Sequence, residues 1–194
     1  MNVLGRLGRL LLVSTVIAGS FMTPAAVAAT SGGSEILVPY ASDGWRYATV
    51  PPDGVPGFEA VAFDDAAFLD GTAMFGTPGD CAADGLINTP WTAGEDLLVR
   101  RTFSVPDDDR QLRIGLTLVR DAQVFLNGVQ ITDGFAQTGL NCPFRDEPLL
   151  AAPNDVVVRG GLNVLAVRAR APASSDPRFP ATALFDATNL AIMG

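Results

Sequence analysis

Histidine is absent from this 194-residue sequence, and all 13 of its basic residues are arginines. Without histidine, Ser-His-Asp and Cys-His catalytic arrangements cannot form, and imidazole cannot ligate a metal. The lack of lysine indicates a compositional bias and assigns no function. A pair of carboxylates acting as acid and base stays open as the one enzymatic arrangement. The 21 acidic residues are scattered mostly through predicted loops, so chance alone brings such pairs together.

Long runs of like charge are also missing, since none exceeds Asp107-Asp108-Asp109. No glycine-rich phosphate loop follows a predicted strand, because Gly160-Gly161 stands between two strands and is typical of a turn. The chain without its first 29 residues keeps 11 arginines against 21 acidic residues, a net charge of −10. Such a surface repels phosphate backbones and anionic lipid, so we expect no nucleic acid partner.

One apolar run stands out, at residues 10–18, behind the basic residues Arg6 and Arg9. It leads to the small-residue pattern Ala26-Val27-Ala28, and the whole predicts a secretory signal peptide over residues 1–29. An uncleaved anchor is the alternative, but the run is shorter than the roughly 20 residues that a spanning helix needs. We expect a secreted protein without a membrane span, with a flexible leader at residues 30–35 and one domain at residues 36–194.

Cysteine is scarce as well, with Cys81 and Cys142 as the only two. Both lie in loop-like sequence of the exported part, where oxidising conditions favour pairing. We therefore predict a Cys81–Cys142 disulfide. The alternative is two free or metal-binding thiols. Two cysteines without histidine, however, cannot form a common zinc site.

No stretch of 12 or more residues keeps a helical period, whereas period-2 alternation is strong across residues 97–131. Residues 98–105 predict a strand with Arg101, Phe103 and Val105 on one side. Residues 111–120 predict the next, with its buried face formed by Leu112, Ile114, Leu116 and Leu118. Asn127-Gly128 between two apolar segments predicts a type I′ hairpin.

Further short strands are predicted at residues 36–40, 45–50, 155–159, 163–170 and 183–192. Loops are predicted at residues 51–57, 76–90, 132–153 and 172–180, which are rich in proline, glycine or polar residues. Residues 58–75 predict a short strand, one helical turn at residues 64–68 and a coil held down by its phenylalanines. About eight short strands with long loops indicate an all-β antiparallel sandwich.

The order of several motifs resembles a known fold family. They are Trp45-x-Tyr47, FDDAAFLDGTAMFG from Phe63, Thr89-Pro-Trp91, Leu98-Val-Arg-Arg-Thr-Phe103, Asp121-Ala-Gln-Val-Phe-Leu-Asn-Gly-Val129 and Gly161-Leu-Asn-Val-Leu-Ala-Val-Arg168. This order is similar to the galactose-binding-like jelly roll, in particular the sugar-binding domain of β-galactosidase and β-glucuronidase type glycoside hydrolases. The resemblance runs from about Trp45 to Ile192 and implies a β-sandwich of eight to nine strands.

In that family the jelly roll carries no catalytic acid or nucleophile, and this sequence ends at Gly194 after the expected last strand. The resemblance therefore implies no enzymatic activity. It implies a secreted, non-catalytic module that binds a glycan or glycoconjugate. The alternatives are a structural or protein-interaction jelly roll without a glycan site, and a stand-alone accessory domain of a glycoside hydrolase.

Four residues are candidates for carbohydrate binding, since a sugar ring stacks on aromatic rings and its hydroxyls bind guanidinium groups. They are Trp45, Tyr47, Trp91 and Arg101. The family pattern favours the alternative that Trp45 and Trp91 are packing anchors. One of Arg100 and Arg101 is expected to be half-buried and paired with a carboxylate such as Asp121. A ligand site is expected in the long loops at residues 76–91 and 132–153.

No organic cofactor is expected, but jelly rolls of this superfamily often bind structural Ca²⁺. The acidic residues that could supply oxygen ligands are Asp64, Asp65, Asp70 and Asp107 to Asp109. No EF-hand spacing is present. Solvated turn residues are the alternative reading of these carboxylates.

Overall fold

The computed structural model describes residues 33–77, 87–119, 121–134, 136–137, 149–170 and 184–193. The chain divides into residues 1–31 and 32–194, and every described residue belongs to the second unit. Within these ranges no helix is long and apolar enough to cross a bilayer. The predicted signal peptide, both cysteines and the predicted loop at residues 172–180 lie outside the described residues, so these expectations stay predictions.

The described residues form thirteen strands and no helix. The strands are β1 (Glu35–Val38), β2 (Trp45–Val50), β3 (Leu69–Gly71), β4 (Phe75–Gly76), β5 (Thr89–Pro90), β6 (Asp96–Val105), β7 (Gln111–Val119), β8 (Asp121–Leu126), β9 (Val129–Gln130), β10 (Ala136–Gln137), β11 (Leu149–Ala151), β12 (Gly161–Arg170) and β13 (Leu184–Met193).

These strands form two sheets. The first has the order β11-β7-β13-β4-β5, with β1 also paired to β13, and the second has the order β10-β8-β12-β6-β2-β3, with β9 also paired to β8. All pairings are antiparallel except β4 with β5. One buried cluster contains residues of both sheets, including Leu112, Ile114 and Leu116 from the first and Val99, Leu165 and Val167 from the second. The predicted all-β sandwich is confirmed.

The pair β6–β12 is the longest ladder of the second sheet, from Asp96 opposite Arg170 to Val105 opposite Gly161. Alternate residues of a strand point to opposite faces. Leu97, Val99, Phe103 and Val105 accordingly enter the core between the sheets. Leu98 instead belongs to a second apolar cluster on the outer face of this sheet. The sequence therefore predicted the inward side of β6 correctly.

The Asn127-Gly128 turn is also confirmed, because both residues have positive φ, 50° at Asn127 and 83° at Gly128. A type I′ turn needs positive φ at both central positions, which asparagine and glycine tolerate. The Asn127 side chain accepts a hydrogen bond from the Val164 N–H and donates to the Val156 carbonyl. The hairpin is thus fixed both to β12 and to the segment that precedes it.

Several local predictions are wrong. Residues 155–159 form a turn and not a strand. The Val156 N–H donates to the Pro153 carbonyl. The buried Asn163 side chain accepts from the Val158 N–H and donates to the Val158 carbonyl. Residues 64–68 form a turn closed by Phe68 N–H on Asp65 carbonyl, and no helical turn. The strands β5, β10 and β11 lie within segments that were predicted as loops. With other strands of only two or three residues, they raise the number of described strands above the expected eight to nine.

Candidate functional site

Both candidate tryptophans lie in the core. Trp45 is 1% exposed and Trp91 is 2% exposed. Trp91 Nε1 donates to the Glu95 carbonyl at 3.0 Å, whereas Trp45 Nε1 is buried and finds no acceptor in the described part of the chain. Neither ring is open to a sugar face in this structure, as expected from the packing-anchor alternative.

Arg101 and Tyr47 are half-buried on the inward side of the second sheet. The Arg101 guanidinium lies 5.4 Å from the ring centroid of Trp45 and donates to the Ser42 hydroxyl at 2.8 Å. The Tyr47 ring packs on Phe75, with centroids 5.4 Å apart. The fold therefore places Trp45 and Arg101 in contact, with Tyr47 on the same strand face as Trp45.

Arg100 points to the opposite face from Arg101 and is 4% exposed. Its Nε donates to Asp65 Oδ2 at 2.9 Å. The arginine paired with a carboxylate is therefore Arg100, which is buried and not half-buried as expected, and its partner is Asp65 and not Asp121. Strand spacing alone could not identify Asp65, which comes from a loop that crosses the face of the sheet.

The three leading calcium candidates have other partners. Asp65 pairs with Arg100, and Asp70 pairs with Arg46 at 2.5 Å. Asp64 Oδ1 accepts the Ala66 N–H at 3.0 Å, which makes it a turn residue. Among the described residues, no three acidic or cysteine side chains come together in a group that could hold a metal ion.

The loop that supplies Asp65 covers the outer face of the second sheet. We call residues 51–68 the strap. Phe58 is 1% exposed and Phe68 is 8% exposed, and both pack in one apolar cluster with Leu98 of β6 and Ala166 of β12. Phe58 also meets Phe125 of β8 edge to face, with centroids 5.8 Å apart. The apolar cluster around Leu98 and Ala166 on this sheet face is therefore covered by the strap.

Arginines hold the first part of the strap. Arg168 is 6% exposed, and its guanidinium donates to Asp96 Oδ2 and to the Gly54 carbonyl, both at 2.8 Å. Arg170 Nε donates to Asp96 Oδ1 at 3.2 Å, and its Nη2 lies 2.5 Å from Asp53 Oδ1. The N–H of Asp53 donates to Asp96 Oδ2 at 3.0 Å. Asp96 thus joins both arginines to the strap.

Two more arginines hold the middle and the end of the strap. Arg100 Nη1 donates to the carbonyls of Phe58 and Ala60. Arg46, directly opposite Arg100 in the β2–β6 ladder, donates to three carbonyls of the strap and to Asp70. Those carbonyls belong to Asp65, Ala66 and Phe68. Guanidinium groups therefore hold the strap along its whole length.

The pKa of Asp96 lies below its ordinary value. Burial raises this pKa, but hydrogen bonds from Arg170, from Arg168 and from the Asp53 N–H together outweigh the burial. The ionised form is therefore the stable one at neutral pH. Asp96 is accordingly a structural carboxylate held ionised, without the raised pKa that a general acid needs.

This arrangement could not be predicted from the pattern of the strands. Arg46, Asp96 and Arg168 were not among the candidates, because a charged residue in a strand usually marks a solvated face. The signal available in the sequence was their position in the strands. Asp96, Arg100 and Arg168 alternate with residues of the inward face and therefore lie on the outer face. What could not be read from the strands is that a loop covers that face.

No protein-family model matches the chain, and no curated protein matches it. Solved structures do resemble it. A β-glucuronidase of glycoside hydrolase family 2 is 17% identical with a TM-score of 0.51, and covers 78% of this chain. A family 2 member from Bacteroides cellulosilyticus is 12% identical over 80% of this chain, again with a TM-score of 0.51. Bacteroides uniformis β-glucuronidase 2 is 15% identical over 82%, also with a TM-score of 0.51.

The likeness is one of fold, and it confirms that the chain has the fold of a part of these family 2 enzymes. The chain spans only 15%, 21% and 18% of the three enzymes' own lengths. The match therefore concerns one domain of a much larger protein.

Proposed function

We propose that this chain is an exported, non-catalytic module that binds a carbohydrate or a glycoconjugate. The observation that carries the proposal is the fold, which is shared with one part of enzymes named as glycoside hydrolases and β-glucuronidases. Two features agree with a non-catalytic role. Histidine is absent from the sequence, and Asp65, Asp70 and Asp96 are each paired with arginine. Export is supported by the sequence of residues 1–29.

Because both tryptophans are buried, the proposed ligand contacts are made by other groups. Arg101 and Tyr47 are half-buried, and the loops at residues 76–91 and 132–153 stay the predicted ligand loops. A guanidinium such as that of Arg101 binds sugar hydroxyls or a sugar carboxylate through charge-assisted hydrogen bonds. The protein requires no organic cofactor for this role, and a structural Ca²⁺ belongs to the proposal only as an option for its loops.

A glycan array probed with residues 30–194 tests the proposal. We expect reproducible binding that falls at least about tenfold in Arg101→Ala, because a charge-assisted hydrogen bond to ligand is lost. Arg113→Ala is the matched control, since Arg113 is half-buried on β7 of the other sheet. Thermal melts of both variants separate lost binding from lost folding. An array on which the folded protein binds nothing contradicts the proposal.

A second function has its own support. Trp45 and Trp91 are closed to ligand, and the fold matches only a fraction of the enzymes that it resembles. A domain that only supports or docks on a catalytic chain needs no open aromatic ring. A blank array combined with a stable complex between this protein and a family 2 glycoside hydrolase, seen by analytical ultracentrifugation, would favour this accessory role.

A further inference from the structure

The outer face of the second sheet is unusually rich in charge for a covered surface. Arg46, Arg100 and Arg168 project from it, and Arg100 and Arg168 are almost fully buried. Taking a guanidinium group out of water is costly, and an apolar cover on an apolar face would avoid that cost. The partners of these arginines therefore indicate what this face is suited to bind.

Six of those partners are main-chain carbonyl oxygens of the strap. They belong to Gly54, Phe58, Ala60, Asp65, Ala66 and Phe68. Beside the arginines on the same face lie the apolar residues Leu98, Ala166 and Phe125. Guanidinium donors beside a flat apolar surface are what a sugar chain requires, because its rings have apolar faces and its oxygens accept hydrogen bonds. The strap offers the same two features, oxygen acceptors and apolar rings.

The strap is not part of either sheet. Its internal backbone bonds close turns, from Gly54 N–H to Pro51, Ala60 N–H to Gly57, Phe63 N–H to Ala60 and Phe68 N–H to Asp65. All of residues 51–68 are described, and none of them is in a strand. Asp53 and Val55 have φ of 60° and 56°, a conformation that a β-branched residue rarely adopts. Release of the strap would therefore break its arginine bonds and apolar contacts but no strand ladder.

We propose that the strap is an internal occupant of a glycan-binding face, so that release of residues 51–68 and binding of a sugar chain are coupled. The inference rests on the proposed carbohydrate function and adds a regulated site to it. In the closed state the strap carbonyls take the donors of Arg46, Arg100 and Arg168. In the open state these donors and the apolar surface around Leu98 face the ligand.

Hydrogen exchange measured by mass spectrometry on the full chain, combined with glycan binding, tests this coupling. Asp65→Ala removes the strap carboxylate from Arg100 and leaves every arginine of the sheet in place. Asp64→Ala is the control, since that exposed neighbour bonds only the Ala66 N–H among the described contacts. We expect amide exchange in the strap, which begins at Asp53 because Pro51 and Pro52 have no N–H, to rise about tenfold in Asp65→Ala, with exchange in β6 and β12 unchanged.

Thermodynamic linkage determines how much opening of the strap changes the apparent dissociation constant for the glycan. If opening becomes tenfold more populated while still a minority state, the apparent dissociation constant falls about tenfold. Binding that is unchanged or weaker in Asp65→Ala despite faster exchange overturns the strap inference and leaves the proposed function intact. An array on which neither the wild type nor the variant binds overturns both.

A second variant, Phe63→Ala, is used if Asp65→Ala changes hydrogen exchange in the strap too little to measure. Phe63→Ala removes the ring that lies 5.3 Å from the Arg100 guanidinium and 5.6 Å from the Phe68 ring. It is expected to open the strap in the same way. Unchanged strap exchange in both variants, or equal acceleration in β6 and β12, contradicts the proposal because the strap would then not open as a separate unit.

Discussion

Asp96 is 1% exposed at the start of β6, between the guanidinium groups of Arg168 and Arg170. Removing one partner of a buried ion pair leaves uncompensated charge in the interior. We therefore expect Asp96→Ala to lower the free energy of unfolding by about 3 to 5 kcal/mol, measured by urea denaturation. Asp109→Ala, at an exposed turn residue, is the control and should change it by less than about 0.5 kcal/mol.

The pH dependence of the same variant checks the cause. Because the pKa of Asp96 is lowered in the folded state, its contribution is present above the unfolded-state value of about 3.9 and is lost as the pH falls through the folded-state pKa. Below about pH 4 the wild type should lose stability more steeply than Asp96→Ala. Equal slopes for the two proteins would show that Asp96 is not held ionised by its arginines.

Single residues were the hardest to predict. The sequence left open whether Trp45 and Trp91 bind ligand or fill the core, and the structure places both in the core. It predicted a half-buried arginine paired with a carboxylate at position 100 or 101, but neither the near-complete burial of Arg100 nor the partner Asp65. Period-2 alternation gives the face on which a side chain lies, whereas the loop that meets that face is determined by tertiary packing.

Asn163 connects three elements and is completely buried at the start of β12. Its side chain bonds both the N–H and the carbonyl of Val158 at 2.8 Å and accepts from Asn127 Nδ2 at 2.8 Å. Asn163→Ala leaves these groups without partners, so we expect a loss of about 3 kcal/mol in the free energy of unfolding. Thermal and urea denaturation measure it.

Asn154→Ala is the matched control for this prediction. Asn154 is exposed and accepts one hydrogen bond, from Arg159 Nη2 at 3.1 Å. Its loss should change stability by less than about 0.5 kcal/mol. If the two variants were equally stable, the segment before β12 would not depend on the Asn163 side chain.

Elements with a strong local pattern were predictable. The strand β6 and the Asn127-Gly128 hairpin follow from alternation and turn chemistry. Residues 155–159 have the composition of a strand, Asp-Val-Val-Val-Arg, yet form a turn. The reason is not local, because the side chain of Asn163 takes the backbone groups of Val158 that a ladder would need.

For the whole molecule, the Cys81–Cys142 disulfide stays a prediction because both cysteines lie outside the described residues. A bond between them closes a loop of about 60 residues and adds about 4 kcal/mol in the chain-entropy model. Reduction of the protein should therefore lower its melting temperature clearly. Mass spectrometry without reductant should find no alkylated cysteine, and an alkylated Cys81 or Cys142 contradicts the bond.

The global fold could be predicted better than its site. Short alternating strands and the motif order of the resemblance led to an all-β sandwich, and both the sheets and the likeness to family 2 enzymes agree with it. The strap and its arginines were missed because residues 51–57 have the composition of an ordinary surface loop. Composition shows that a segment is irregular but not that it lies on a sheet.

Both sheets end in very short strands. The second sheet ends in β3 and β10, with three and two residues, and the first ends in β5 and β11, with two and three. Pro90 in β5 has no N–H to offer, and the Asp70 side chain in β3 is 91% exposed. Including β1, which has four residues beside β13, the described edge strands are short, so each gives another chain little backbone to pair with. The described sheets are thereby guarded against edge-to-edge aggregation.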